Sequence, residues 1–201
     1  MYYSKTKPSF PVSVRLGLLA AILFVLPASV VAQVDVPYSA PNEVTLNIPG
    51  NSIAYSYFSN QLLVRLDVEA KKLEFRVPLT SFVPANTGSP QVLQRELFLT
   101  GSFPEMVILL DAPLDMLLTD QTQPETRHVQ GVLIAQGVSR DIQTDLYIVP
   151  LPNQASLSAT FRFDLRAPNV VLPQTYASMV QGVAEIVFQN VRWLNPNPTN
   201  R

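Results

Sequence analysis

From Val44 onward, apolar and polar residues alternate along most of the chain with a period of two, the signature of strands that have one dry and one wet face. Segment 72–79 is the clearest case. Leu73, Phe75, Val77 and Leu79 alternate there with Lys72, Glu74, Arg76 and Pro78. Segment 52–58 places Ile53, Tyr55 and Tyr57 on one face, and 61–68 places Leu62, Val64, Leu66 and Val68 on another. Further on, Ile142, Thr144, Leu146 and Ile148 share a face. So do Leu157, Ala159, Phe161, Phe163 and Leu165, and in segment 183–193 Ala184, Ile186 and Phe188. The continuous apolar run 106–112 predicts a strand buried on both sides, and a weaker strand is expected around 115–118.

Turn chemistry punctuates these strands. Pro84, Asn86, Gly88 and Pro90 mark 81–90 as a loop. Segment 91–100 has good helix formers, with Val92, Leu93, Glu96 and Leu97 forming a one-sided stripe, and predicts a short helix closed by Gly101 and Pro104. Segments 127–135 and 141–149 predict a hairpin around Gly137, which supplies a positive φ. The count is seven to nine strands and one short helix, hence an all-β antiparallel fold of about eight strands. The pattern leaves open a filled core, a barrel with a cavity and a sandwich.

The N-terminus follows another pattern. Lys5, Lys7 and Arg15 precede the apolar run Leu16–Leu26, then Pro27 and small residues up to Ala32. That order predicts a signal peptide over 1–32, cut after Ala32, and therefore a periplasmic or secreted protein that contacts a membrane only through its leader. With no Cys in the chain, a lipid-modified N-terminal Cys, disulfides and thiolate chemistry are all excluded. Residues 33–42 are expected to be a linker, 43–194 the barrel domain and 195–201 a loose tail. Removing 32 residues leaves 169, with 11 basic and 15 acidic side chains, a net charge of −4. Such a domain has no electrostatic basis for binding nucleic acid.

Two stretches resemble the YceI-like family. One is Leu97–Asp111, LFLTGSFPEMVILLD, where a short helix leads through an aromatic–Pro pair into a strand. The other begins at Gly131, GVLIAQGVSRDI, similar to the family's hairpin with its Gly-Val-Ser-Arg turn at 137–140. The likeness spans roughly 44–192. It departs at Gly50-Asn51-Ser52, where the better-known branch has a His-Ser pair, and at 163–168, FDLRAP, where that branch has an Asn-Arg-Ser-type motif. The resemblance implies a lipocalin-like antiparallel barrel in the periplasm, holding a polyisoprenoid or similar apolar chain.

Candidate chemistry is sparse. His128 is the single His, and its plainer role is that of a strand residue near a barrel rim. Asp111, Asp115 and Asp120 lack the dense spacing of a calcium loop, and no nucleophile elbow or phosphate-cradling loop is present, so no catalytic residue, metal or cofactor is expected. The apolar faces are the candidate ligand-binding surface: Tyr55, Tyr57, Leu73, Phe75, Val77, Leu146, Ile148, Phe161, Phe163, Ile186 and Phe188. The reading is a non-catalytic carrier for an apolar lipid-like ligand, against a cell-envelope interaction domain with a filled core.

Overall fold

In a computed structural model that describes residues 37–98, 101–118, 122–167, 170 and 172–195, the alternating segments pair into a closed antiparallel ring. The strands are β1 (Ser39–Pro49), β2 (Ala54–Asp67), β3 (Lys72–Pro78), the two-residue β4 (Val83–Pro84), β5 (Glu105–Asp111), β6 (Glu125–Ala135), β7 (Val138–Leu151), β8 (Gln154–Asp164) and β9 (Val183–Leu194). The order is β1-β9-β8-β7-β6-β5-β3-β2, and β1 pairs back onto β2, so eight strands close the barrel while β4 adds only a short edge on β2. Closure removes the free edges that an open sheet of this kind would expose.

Bulges explain how long strands keep one face dry. In β2, Tyr55, Tyr57 and Ser59 point inward, Asn60 and Gln61 are both exposed, and Leu62, Val64 and Leu66 then take over the interior. The two separate faces of the sequence pattern are thus one strand with an extra residue. In β9 the pairing steps from Leu157↔Val191 to Ala159↔Phe188, so Gln189 and Asn190 oppose the single Ser158. Asn190 adopts φ 54°, a region Asn tolerates, and Val191 and Trp193 turn inward beyond it.

Turns follow their residues. Gln136 and Gly137 both have positive φ, as a two-residue type I′ hairpin requires, and pairing resumes at once with Ala135↔Val138. Pro152 followed by Asn153 at φ 59° joins β7 to β8. Three short helices lie at the ends: α1 (Leu93–Leu97), α2 (Leu114–Leu117) and α3 (Gln174–Ala177). The up-and-down connectivity puts α1, α3 and the 136–137 turn at one end and α2 at the other. Leu93, Leu97, Phe98 and Tyr176 join the core from the first end, Met116 and Leu117 from the second.

Several expectations are corrected. The helix of 91–100 shrinks to Leu93–Leu97, and it buries Leu93, Gln94 and Leu97 while Val92 and Glu96 are exposed. Where a weak strand was expected at 115–118 there is α2, because Pro113 precedes a single helical turn. Strand β5 buries one face only, with Met106, Ile108 and Leu110 inward and Val107 and Leu109 half-exposed. Ile53 lies in the β1–β2 loop, 48% exposed, and Val68 has left the ladder. Strand β1 begins at Ser39, inside the segment expected to be linker. Residues 1–36, which include the expected signal peptide, and residues 196–201 lie outside the described residues. No helix among the described residues is long and apolar enough to cross a membrane.

Candidate functional site

All eleven apolar positions singled out from the alternation are buried and point into the barrel. Three come together at its waist. Phe75 on β3 and Phe161 on β8 belong to opposite walls of the eight-strand ring, yet their ring centroids are 6.5 Å apart. Phe188 on β9 touches both, at 4.8 Å from Phe75 and 4.9 Å from Phe161. At this level the aromatic cluster bridges the lumen. Phe163 sits nearer the α1 end and contacts Phe98 at 5.6 Å. Tyr57 is fully buried and its hydroxyl donates to the Pro90 carbonyl at 2.8 Å, which ties the approach to α1 to the barrel wall. Burial, then the neighbouring Tyr176 and Tyr55, pushes the Tyr57 phenol far up. Tyr55, Leu73, Val77, Leu146, Ile148 and Ile186 complete the dry lining.

A concave site that the alternation did not predict lies on the outer wall. The β7–β8 ladder runs from Leu151↔Gln154 only as far as Tyr147↔Ser158, and beyond that pair the two strands diverge. A groove of about 520 Å³ occupies the split. Outward residues line its rim, among them His128, Gln143, Asp145, Thr160, Arg162 and Gln189, and the inward-facing Thr144, Ala159 and Phe188 also reach it. Thr144 is a buried hydroxyl on an otherwise apolar face, and it donates to the Thr160 carbonyl at 2.9 Å across the split. That bond satisfies an acceptor the ladder no longer serves. The signal for this site in the sequence was Thr144 standing among Ile142, Leu146 and Ile148.

No protein-family model matches the sequence, and no curated protein matches it at a significant level. Solved structures do match. A polyisoprenoid-binding domain from Saccharophagus degradans implicated in plant cell wall breakdown superposes with a TM-score of 0.63 at 14% identity, over 78% of this chain and 97% of that one. BcnA of Burkholderia cenocepacia superposes with a TM-score of 0.53 at 14% identity, over 75% of this chain and 96% of that one. A YceI protein of Campylobacter jejuni aligns at 18% identity over 71% of this chain and 85% of that one, with a TM-score of 0.42. This chain has the YceI-like barrel fold. That is the fold the two sequence stretches implied.

The polar groups of the YceI-like barrel are mostly engaged with one another. His128 Nδ1 lies 2.9 Å from Asp145 Oδ1, both side chains exposed on neighbouring strands. Asp111 pairs with Lys72 at 2.5 Å and Asp115 with Arg127 at 2.9 Å, while Asp120 lies outside the described residues. No group of three or more metal-ligating side chains occurs among the described residues.

Glu74 departs from its expected place in water. It is only 5% exposed, held by Arg65 Nε at 2.6 Å, Arg76 Nη2 at 2.8 Å and the Tyr38 hydroxyl at 2.8 Å. Burial raises its carboxyl, but hydrogen bonds from Arg76, Tyr38 and Arg65 outweigh that and hold it below the ordinary range. Burial first, then the bond to Glu74, pushes the Tyr38 phenol up to about 12. Gln94, wholly buried on α1, donates weakly to the Phe82 carbonyl at 3.4 Å, and its Oε1 has no partner among the described residues.

Proposed function

We propose that this protein binds an apolar, lipid-like chain of polyisoprenoid type inside its barrel and acts as a non-catalytic periplasmic carrier after loss of residues 1–32. The observation that carries this reading is the lining. Inward faces from all eight strands of the ring are mainly apolar, broken by a few buried polar side chains such as Ser59 and Thr144, and the eleven residues from Tyr55 to Phe188 supply aromatic and branched surface. A chain threaded along such a surface gains about 0.8 kcal/mol for each CH2 removed from water and needs no specific hydrogen bond. The binding named for the S. degradans domain, whose fold this chain shares, supports the same class of ligand.

One observation favours the rival reading, an interaction domain with a solid core. The Phe75–Phe161–Phe188 cluster occupies the waist of the lumen. A chain can pass only if these rings rotate towards the wall, which costs about 1 kcal/mol per off-rotamer χ angle and forfeits part of the ring-to-ring contact. A ligand with ten or so buried carbons offsets that cost. Native mass spectrometry of the purified protein, before and after titration with a C20 polyprenol, separates the two readings. A retained ligand mass is expected. A protein that carries nothing and takes up nothing is a filled domain, and the carrier reading fails.

A further inference from the structure

The β7–β8 split differs from the rest of the wall in three ways that converge. The split coincides with the β9 bulge: Gln189 and Asn190 oppose Ser158, and above that level β8 stays paired with β9 through Ala159↔Phe188 to Asp164↔Val183 while its pairing with β7 ends. Asn190 N donates to Ser158 Oγ at 3.0 Å, which pins the bulge to the last residue of β8 still paired with β7. The split is also separated from the interior by only one layer of side chains. Phe188 lines the groove and is at the same time a member of the aromatic cluster at the waist, and Ala159 beside it offers only a methyl group. Finally, the ends of the barrel are covered among the described residues, by Leu93, Leu97, Phe98 and Tyr176 at one end and by Met116 and Leu117 at the other.

We propose that this split is a lateral portal and head-group site: an apolar chain enters the barrel between β7 and β8, over Ala159 and beside Phe188, and leaves a neutral, hydroxyl-bearing head in the outer groove. The proposal rests on the carrier reading and assigns its route and its polar subsite. Opening breaks no ladder pairing above Tyr147↔Ser158; the Thr144–Thr160 bond and the packing of the Phe188 ring are the contacts that must yield. The rim selects the head. Arg162 is already paired with Glu185 at 2.9 Å and Asp145 with His128 at 2.9 Å, so the groove offers balanced donors and acceptors and no surplus cation for an acidic head. A long-chain alcohol fits that rim better than the corresponding acid.

The chain has no Cys, so a thiol staple can be placed at will. In the double variant Asp145→Cys/Thr160→Cys, a short bismaleimide joins the two strands across the split. In Val132→Cys/Asp141→Cys the same reagent joins β6 to β7 where the ladder is intact, as a control. The probe is parinaryl alcohol, a fluorescent linear polyene alcohol, with uptake and release followed by stopped flow. Joining 145 to 160 should slow both rates about tenfold or more relative to the same variant unjoined, whereas the control staple leaves them unchanged. Equal rates with and without the 145–160 staple overturn the portal. Should that variant misfold, Ala159→Leu narrows the passage from inside and should slow uptake likewise, and an unchanged rate again overturns it. A wild-type protein that takes up no probe sinks the carrier reading itself, a result distinct from uptake that ignores the staple. Parinaric acid should bind about threefold more weakly than the alcohol, and equal or tighter binding of the acid overturns the neutral head-group assignment.

Discussion

At the scale of single residues, buried polar side chains do more specifying than their number implies. Asn42 is buried against β9, where its Oδ1 accepts from Arg192 N at 2.7 Å and its Nδ2 donates to Arg192 O at 3.1 Å. One side-chain amide thus imitates a strand neighbour, and Ser39 Oγ, accepting from Leu194 N at 2.7 Å, continues the seam. Replacing Asn42 by Ala leaves two main-chain groups of Arg192 without partners and should cost about 1–3 kcal/mol, read from urea denaturation midpoints. Glu74 makes a prediction about acid. Its folded carboxyl titrates below its ordinary value of 4.5, so its contribution to stability is fully present above about pH 4.5 and is lost as the pH falls through the folded value. Glu74→Gln should be less stable than wild type near neutrality, and the gap should narrow on acidification below that point. A gap that stays constant with pH would show that the carboxylate is not the source of the effect.

At the scale of elements, bulges and turns set which face each strand presents. Asn190 sits at φ 54° in the β9 bulge that returns Val191 and Trp193 to the interior. Asn190→Gly should leave stability within about 0.5 kcal/mol, whereas Asn190→Val, β-branched at a positive φ, should cost about 1–3 kcal/mol in the same denaturation assay. Gly131 on β6 is constrained for a different reason. A methyl group there would lie 2.2 Å from the Leu109 carbonyl oxygen and 3.0 Å from Leu110 Cα, main-chain atoms that cannot step aside cheaply. Gly131→Ala should therefore loosen the β5–β6 seam and lower the melting temperature.

At the scale of the whole molecule, the barrel is held shut by contact between its own opposite walls. Truncating Phe161 or Phe188 to Ala removes ring contacts across the lumen and should cost about 3–5 kcal/mol in the absence of ligand. The space left behind is dry and lined by the same apolar residues. Added parinaryl alcohol should accordingly raise the melting temperature of Phe161→Ala by more than that of wild type, as measured by differential scanning calorimetry. Equal shifts would place the ligand away from the waist. The two stabilising devices of the molecule are also separate in space. The aromatic cluster is inside, while the Tyr38–Arg65–Glu74–Arg76 cluster clasps β2, β3 and the residue just before β1 from outside, with the Arg65 guanidinium 4.8 Å above the Tyr38 ring.

Alternation by itself determined that this chain is antiparallel β, where most strands run and which face of each is dry, because side chains on a strand change sides at every residue and water sorts them by polarity. The eleven interior positions follow from that rule alone. It could not determine that segments 52–58 and 61–68 form one bulged strand, since an extra residue looks in sequence like the end of one element and the start of another. Nor could it show that Glu74 is enclosed, that Asn42 completes a seam with Arg192, or that β7 leaves β8 at Ser158. Each of these depends on partners remote in the chain: Tyr38 for Glu74, residue 192 for Asn42, strand β9 for the split. Whether the dry faces meet at the waist was likewise a matter of barrel diameter and ring rotamers, which only the closed tertiary structure decides.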